Sequence, residues 1–296
     1  MIEENIVSGI AFIIDSNSGI TQEEAAKYGI YVLPMPFMID DQTYYEGTTI
    51  SPEEFYRKQV EGARITTSQP TPEDVTSLWD EKLKEYDEIV YVPMSSGLSG
   101  SCQTAKLLAL DYDGRVQVVD NQRISVTQLR SILDAKLLYE EKGMNASEIR
   151  EFLEKDKFNS SIYVMLDTLT YLKRGGRITA AAAALGNILR LKPVLQIQGE
   201  KLDAFAKART GSQGKTIMNT AIRNDIANRF SGDGSDCPVW LYIAHSHCPD
   251  AAKVYAEEVT KEFPGYAIQI QDLPLSIGCH LGPGALALAC SRKIIV

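Results

Sequence analysis

The chain has 296 residues, of which 44% are hydrophobic and 23% are charged, proportions that suit one large or two medium globular domains. Its formal net charge of -9 weighs against nucleic acid as a partner, because phosphate binding draws on clustered lysine and arginine. The first apolar run breaks at Asp15, far short of the roughly 20 residues of a membrane-spanning helix, so we expect no integral membrane segment.

The first half of the chain alternates predicted strands with predicted helices. Short apolar or β-branched runs predict strands at residues 9–14, 31–38, 88–94 and 115–119. Periodic patterns with capping residues predict helices at residues 21–28, from 51, and at 71–86, 100–111, 125–142 and 146–155. This alternation predicts a mostly parallel, doubly wound sheet, because parallel neighbours need a crossover between them.

The second half has a different order of predicted strands and helices. We therefore place the boundary between two domains in the stretch 155–159. It separates an N-terminal α/β domain, residues 1–156, from a C-terminal α+β domain, residues 157–296. In the second half we expect a strand at 161–166, a helix ending at Gly175-Gly176, an alanine-rich helix from Thr179, a hairpin over 193–208 that turns at Gly199-Glu200, helices at 212–230 and 249–263, and strands at 239–244 and 266–273.

Three hydroxyl-rich loops lie beside the ends of predicted elements, where open α/β sheets gather function. The loops are residues 15–19, 66–70 and 95–101. The candidate ligand residues in them are Asp15, Ser16, Thr67, Ser68, Ser95, Ser96 and Gly97. The third loop has a helix start behind it, so its amides and hydroxyls can surround a phosphate or a carboxylate. The alternative is that serine and glycine only cap helices and form turns.

A histidine lies among glycines near the end of the chain. The stretch 278–284 contains His280, with Cys279 before it and Gly282 shortly after it. Such a backbone can approach a ligand closely, and an imidazole donates a hydrogen bond or, when protonated, presents a charge to a carboxylate. A purely structural turn is the alternative.

Metal binding and disulfide formation are not expected. His245, His247 and Cys248 are residue types that bind zinc, but adjacent side chains on a strand point apart and the sequence has no second ligand cluster. The five cysteines are odd in number and include no Cys-x-x-Cys pair. This pattern favours reduced thiols in the cytoplasm.

Basic residues cluster at the end of a predicted helix. Arg174 and Arg177 lie in the run 172–177, and Arg209 belongs to a second basic pair downstream. Cations interact favourably with the dipole at a helix C-terminus, which is one structural explanation for this basic cluster. In an acidic protein, a local basic patch also suits the docking of an acidic or phosphorylated partner.

Taken in order, these motifs resemble those of the DegV family across essentially the whole chain. The segments that carry the resemblance are Asp15-Ser16, Thr67-Ser68-Gln69-Pro70, the run 95–100, the run 172–178, Lys192-Pro193 and the run 280–284. Each segment alone is weak, but their joint order and spacing are specific.

The resemblance implies a two-domain α/β fold that holds a long-chain fatty acid of the palmitate, stearate or oleate class between its domains. It implies that Thr67, Ser96 and His280 bind the carboxylate. That assignment agrees with physical expectation, because an ionised carboxylate removed from water needs strong hydrogen-bond donors. No cofactor is implied.

A kinase partner is also implied by the resemblance. Bacterial family members of this type present the fatty acid to an ATP-dependent fatty acid kinase, which forms an acyl phosphate, and do no catalysis themselves. The sequence has no Walker A motif, kinase-type glycine-rich loop or dinucleotide fingerprint, which agrees with that division. The residues implied for docking are Arg174, Arg177 and Arg209.

An enzyme is the strongest alternative, with Ser96 as nucleophile and His280 as base of a lipid esterase or thioesterase. The nearby run 97–101 fails the Gly-x-Ser-x-Gly pattern of hydrolases at its fifth position. Cys102 and the stretch 121–126 depart from the usual family pattern, which leaves the preferred chain length and unsaturation open.

Overall fold

The computed structural model describes residues 9–46, 48–185, 191–230 and 238–295. Within them the strands are β1 (Ile10–Asp15), β2 (Ile30–Leu33), β3 (Pro36–Ile39), β4 (Gln42–Tyr45), β5 (Ile65–Thr67), β6 (Glu88–Val92), β7 (Val116–Val118), β8 (Ser160–Met165), β9 (Lys192–Ile197), β10 (Asp203–Ala208), β11 (Val239–His245), β12 (Ile268–Asp272) and β13 (Leu286–Arg292). The helices are α1 (Gln22–Lys27), α2 (Pro52–Val60), α3 (Pro72–Lys82), α4 (Ser101–Leu108), α5 (Ser125–Lys142), α6 (Ala146–Lys155), α7 (Thr170–Gly175), α8 (Ala180–Leu185), α9 (Gly211–Asp225), α10 (Pro249–Glu262) and α11 (Leu275–Leu281).

The first half forms the predicted doubly wound sheet. Its strand order is β2-β1-β6-β7, and every neighbouring pair is parallel. Alternate residues of β1 point to opposite faces, so Phe12 packs with α5 and α6 while Ile13 packs with α3 and α4. Both faces are therefore covered by helices, and the carboxyl ends of the strands are left to bind a ligand.

The second half contains a six-stranded mixed sheet of order β10-β9-β8-β13-β11-β12. The β11–β12 pair is parallel and the other neighbouring pairs are antiparallel. Helices α9 and α10 cover one face of it. The other face packs against the first half, where Leu98, Ile124 and Val126 join the same hydrophobic core as Ile162 and Val164.

The single strand predicted over residues 31–38 is wrong. Strand β2 ends at Leu33, and β3 begins at Pro36 in a separate antiparallel sheet of order β4-β3-β5. Two prolines explain the break, because Pro34 and Pro36 have no backbone N–H to donate to a continuous ladder. Strands β4, β5 and β13 were not predicted.

Most predicted helix starts and the hairpin are confirmed. Thr21 and Thr71 form reciprocal capping boxes with the residues three positions on, and Ser51 accepts a hydrogen bond from the backbone of Glu54 at 3.2 Å. The β9–β10 hairpin turns at Gly199 and Glu200, both with positive φ. The alanine-rich helix is confirmed as α8, whereas residues 186–190 and Cys237 lie outside the described residues.

A buried ion-pair network lies at the predicted domain boundary. Asp156 accepts hydrogen bonds from Nη2 of Arg123 at 2.9 Å and from Nη2 of Arg292 at 2.8 Å. Asp156 and Arg123 are both at least 95% buried. Because removal of one partner leaves a buried charge uncompensated, this cluster fixes the junction of the two halves. The partition at residue 156 itself stays a prediction.

Candidate ligand-binding site

An apolar cavity of about 220 Å³ lies between the two halves, beside the carboxyl ends of the parallel strands. Its apolar lining residues are Met35, Met94, Leu98, Ile124, Leu172, Leu202, Ile277 and Leu281. This volume far exceeds the roughly 10–15 Å³ needed to hold one buried water, and its lining is mostly apolar. We call it the inner cavity.

Two predicted carboxylate ligands meet at the wall of the inner cavity. Thr67 ends β5 and His280 lies in the last turn of α11, and Thr67 Oγ1 is 3.1 Å from His280 Nε2. A Cβ at Gly175 would lie 2.4 Å from Nδ1 of His280. Only glycine therefore lets α7 approach the imidazole this closely.

The imidazole of His280 is neutral at physiological pH. Burial, helped by the positive charge of Arg177, lowers its pKa to about 4. The charge that the sequence suggested for a protonated His280 is therefore absent near pH 7. A neutral imidazole still donates one hydrogen bond from whichever ring nitrogen carries the proton.

Arg177 supplies the positive charge at this wall. It is the cation among the described residues that line the inner cavity, and it is partly buried. Its Nη1 donates to the backbone oxygen of Gly175 at 2.6 Å, and a guanidinium retains further donors beyond that bond. The other two predicted docking residues, Arg174 and Arg209, are exposed.

The helix that carries His280 was not predicted. Residues 275–281 form α11, which ends where Gly282 adopts a φ of 77°. At its start the carboxylate of Glu46 accepts hydrogen bonds from the backbone of Leu275 and from Ser276 Oγ. Burial raises the pKa of Glu46 to about 7. Ser276 also donates to Asn17 Oδ1 at 2.8 Å, so residues of the first half hold this helix of the second half.

Cys279 and Gly282 support His280 without facing the inner cavity. Cys279 is buried, its thiol donates to the backbone oxygen of Ser276 at 3.1 Å, and burial raises its thiol pKa. A Cβ at Gly282 would lie 2.4 Å from the ring of Tyr171. Both residues therefore shape the last turn of α11.

Asp15 and Ser16 organise the neighbouring loops. The buried carboxylate of Asp15 accepts from the backbone of Met94 at 2.7 Å, from Gln128 Nε2 at 2.9 Å and from the backbone of Asn17 at 3.1 Å. Ser16 Oγ accepts from the backbone of Met35 at 3.0 Å. These two residues position Asn17, Met35 and Met94, which do line the inner cavity.

The third hydroxyl-rich loop, residues 95–101, packs against the tip of the β9–β10 hairpin. Ser95 Oγ donates to the backbone oxygen of Glu200 at 2.9 Å, and a Cβ at Gly97 would lie 2.6 Å from Glu200 backbone atoms. The backbone of Ser96 donates to Asp120 at 3.4 Å. Ser99 and Ser68 line the inner cavity, whereas Ser96 is outside that lining.

The nucleophile and base of the alternative enzyme are not hydrogen-bonded to each other in the described part of the chain. Among the described hydrogen bonds, His280 Nε2 is joined to Thr67 and none joins the hydroxyl of Ser96 to the imidazole. A serine nucleophile requires a base within hydrogen-bond reach. No observation at this site favours the esterase hypothesis.

A second, more polar cavity shares part of its lining with the first, including the Thr67–His280 pair. This outer cavity has a volume of about 580 Å³. Thr67, Arg177 and His280 line both cavities. Arg64 and Arg174 also line the outer cavity.

The histidines near residue 246 have structural contacts. Nδ1 of the buried His245 lies 3.3 Å from Asp272 Oδ1, His247 stacks on Tyr56 with 4.8 Å between ring centres, and Cys248 Sγ donates to a backbone oxygen. In the described part of the chain, no group of three metal-binding side chains converges. Nor does any described helix have the length and apolar character needed to cross a bilayer.

Several lining residues were missed by sequence reasoning. They are Asn17, Gln69, Ser99 and Ser276, together with Gly175 and Glu46 behind them. Asn17, Gln69 and Ser99 lie inside the three loops already singled out, so loop position was an available signal. Glu46 and Ser276 had none, since their role depends on the tertiary position of α11.

The chain is similar to known proteins over almost its whole length. The model of a family described as "Uncharacterised protein, DegV family" matches residues 9–293. A DegV domain-containing protein of Listeria innocua is 30% identical, with 96% of this chain and 99% of the relative covered. Among solved structures, a fatty acid-binding DegV family protein from Thermus thermophilus has 31% identity and a TM-score of 0.87, covering 96% of this chain and 99% of that one. DegV of Bacillus subtilis, a fatty acid binding protein, has 26% identity and a TM-score of 0.83 at the same coverage.

Proposed function

The chain belongs to the DegV family, and from this premise we propose that it binds one long-chain fatty acid and does not itself catalyse a reaction. The observation that carries the proposal is an apolar cavity whose wall holds the polar group of Thr67, His280 and Arg177. Such a cavity matches an amphiphile with a long apolar tail and one anionic head.

The acyl chain occupies the inner cavity. Each methylene removed from water contributes about 0.8 kcal/mol, so ten buried methylenes contribute about 8 kcal/mol before the entropy of ordering is subtracted. The tail thus provides most of the affinity. The palmitate, stearate and oleate class remains the proposed ligand.

The carboxylate lies at the Thr67–His280 pair. Thr67 Oγ1 and His280 Nε2 are 3.1 Å apart, so the hydroxyl and the neutral imidazole are placed to donate to one carboxylate. Arg177 offsets the negative charge, which would otherwise be costly in an apolar site. Ser96 remains a proposed third ligand.

A partner ATP-dependent fatty acid kinase then acts on the bound carboxylate. One carboxylate oxygen attacks the γ-phosphorus of ATP, the bond from that phosphorus to the bridging oxygen breaks, and ADP leaves, which gives an acyl phosphate. Arg174, Arg177 and Arg209 are the proposed contacts with the kinase, and the cytoplasm is the proposed setting. Arginines suit an acidic or phosphate-bearing partner, and Arg174 and Arg209 are exposed.

A calorimetric titration of the delipidated protein tests the binding proposal. We expect palmitate to bind in a one-to-one ratio and methyl palmitate, which has the same tail and no charge, to bind at least about tenfold more weakly. Equal affinity for the two ligands would show that the polar wall does not recognise the carboxylate. Failure of both to bind would refute the proposed function.

A further inference from the structure

Two carboxylates are hydrogen-bonded to residues that line the inner cavity. Asn17 and Ser276 belong to that lining, and Ser276 Oγ donates to Asn17 Oδ1 at 2.8 Å. Asp15 Oδ1 accepts from Asn17 Nδ2 at 3.1 Å, and Glu46 Oε2 accepts from Ser276 Oγ at 3.4 Å. Two acidic residues from the first half of the chain therefore converge on one pair of lining residues.

No cation compensates these two carboxylates in the described part of the chain. The groups there that act on the pKa of either carboxyl include no lysine or arginine. Burial raises the pKa of Asp15, and burial with the nearby charge of Asp15 raises the pKa of Glu46 to about 7. The inner cavity thus has a basic region at Arg177 and an acidic region at Asp15 and Glu46.

We propose that Glu46 is a selectivity residue of the ligand site, because an anionic ligand binds when Glu46 is protonated and its binding takes up a proton at this carboxylate. The inference rests on the proposed function, since it assumes that a fatty acid carboxylate enters the inner cavity. It gives a residue that does not line the cavity a role in recognising the charge of the ligand.

Repulsion between like charges is the physical reason. Helix α11 carries Ser276, which is bonded to Glu46, and His280, the proposed ligand of the fatty acid carboxylate. Four residues of a helix span roughly 6 Å, so the carboxylate of Glu46 and the head group of the ligand are held close together. Charges interact strongly where water is excluded, and a neighbouring carboxylate favours the protonated form of a carboxyl.

Affinity for the anion should fall as pH rises. The bound carboxylate raises the pKa of Glu46 further, so above pH 7 binding must draw a proton from solvent. The protonated fraction of a carboxyl with a pKa of about 7 falls from about 90% at pH 6 to about 10% at pH 8. The affinity should therefore fall about tenfold over this range.

The other titratable groups near Glu46 leave this range largely to it. Burial lowers the pKa of His280 to about 4, and burial raises the pKa of Tyr56 and of Cys279 far above neutral. The remaining charged or titratable groups that share a second cavity lining with Glu46 are Glu23, Asp272 and His247. An imidazole can titrate near neutral pH, so His247 needs a control.

Calorimetric titration of the delipidated full chain with laurate and with methyl laurate tests the proposal. Laurate stays ionised between pH 6 and pH 8, because a carboxyl in water has a pKa of roughly 4 to 5. We expect the affinity of wild type for laurate to fall about tenfold from pH 6 to pH 8, and its affinity for methyl laurate to stay the same. In Glu46→Gln, which cannot titrate, laurate affinity should be equal at both pH values.

Two variants and one further measurement are the controls. Glu257→Gln removes an exposed carboxylate on α10, and His247→Gln removes the exposed imidazole near Glu46. Both should keep the tenfold fall. Calorimetry of wild type at pH 7 in two buffers of different ionisation enthalpy measures proton uptake directly, and we expect about half a proton per laurate.

Laurate affinity that does not change between pH 6 and pH 8 would overturn this role of Glu46, and so would a fall that persists in Glu46→Gln or disappears in His247→Gln. Absence of proton uptake by wild type at pH 7 would overturn it without any variant. If neither ligand binds wild type at either pH, the proposed function itself fails, and the inference fails with it.

Discussion

The hydrogen bond between Thr67 and His280 joins residues that are 213 positions apart in the chain. It places a hydroxyl donor and an imidazole donor side by side at the edge of an apolar cavity. Because Arg177 is near enough to lower the pKa of the imidazole, the three side chains form one electrostatic unit. Changes to any one of them should alter recognition of the carboxylate rather than of the tail.

Thr67→Val tests the hydroxyl of this unit. The substitution keeps the shape of the side chain and removes one donor to a charged acceptor, so palmitate affinity should fall about tenfold. Methyl palmitate affinity should stay the same. Thr43→Val, which removes an exposed hydroxyl on β4, is the control for calorimetry. Equal loss of both ligands in Thr67→Val would instead indicate damage to the cavity.

Gly175→Ala tests the position of the imidazole. The new Cβ would lie 2.4 Å from His280 Nδ1, so the ring must move away from Thr67, and palmitate affinity should fall about tenfold or more. Gly211→Ala is the matched control, because no heavy atom lies within 4 Å of that Cβ. Wild-type affinity in Gly175→Ala would contradict the proposed role of His280.

At the residue scale, the sequence predicted the chemical type of the site residues better than it predicted which of them are in contact. Thr67 and His280 were predicted together and the structure brings them together. Arg177 was predicted to face a partner, yet it also lines the inner cavity. Gly175 was noted only as a helix end, because a glycine needed for close packing looks in sequence like any C-terminal glycine.

At the scale of elements, α11 determines where His280 points. The helix has seven residues, too few to be stable in isolation. Its first turn is held by Glu46 and by the Ser276–Asn17 hydrogen bond, and Gly278 packs against Tyr56. Tertiary contacts therefore stabilise α11, which is too short to be stable on its own.

The charge of Glu46 should make stability depend on pH. Its folded pKa of about 7 exceeds the ordinary 4.5, so between these values the folded protein holds a proton that the unfolded chain has released. The free energy of unfolding must then fall as pH rises through that window. Glu46→Gln removes this titration, so wild type should lose about 2 to 3 kcal/mol relative to the variant between pH 4.5 and pH 8.

Urea unfolding of both proteins at the two pH values measures this difference. Glu257→Gln, an exposed carboxylate on α10, is the control and should follow wild type across the range. A difference between wild type and Glu46→Gln that does not change with pH would show that Glu46 keeps an ordinary pKa in the folded protein.

Element prediction succeeded where local signals were strong. The β-α alternation and the caps at Thr21 and Thr71 predicted the parallel sheet and its helices. Strand β13 was missed because its Leu-Ala-Leu-Ala sequence has weak strand propensity. In the structure, pairing and burial between β8 and β11 stabilise it. The small sheet that positions Thr67 was missed because β5 has only three residues.

At the scale of the whole molecule, the ligand site requires both halves of the chain. The inner cavity is lined by residues from Asn17 to Ile124 and from Leu172 to Leu281, and the buried Arg123–Asp156–Arg292 cluster fixes their junction. A fatty acid between the halves should therefore stabilise them jointly, because a ligand that binds only the folded state raises its free energy of unfolding.

Arg209→Gln tests the proposed kinase docking surface. Arg209 is exposed and lies outside both cavities. With palmitate-loaded protein, ATP and a fatty acid kinase, we expect the apparent KM for the loaded protein to rise about tenfold and palmitate affinity to remain unchanged. Arg223→Gln serves as the control of equal charge. An unchanged KM would remove Arg209 from the interface.

Native mass spectrometry of the purified chain, followed by organic extraction, tests fatty acid binding most directly. We predict a species heavier than the bare protein by one fatty acid, and release of palmitate, stearate or oleate in a ratio near one per chain. A bare chain that stays bare after incubation with these acids would contradict the proposed function.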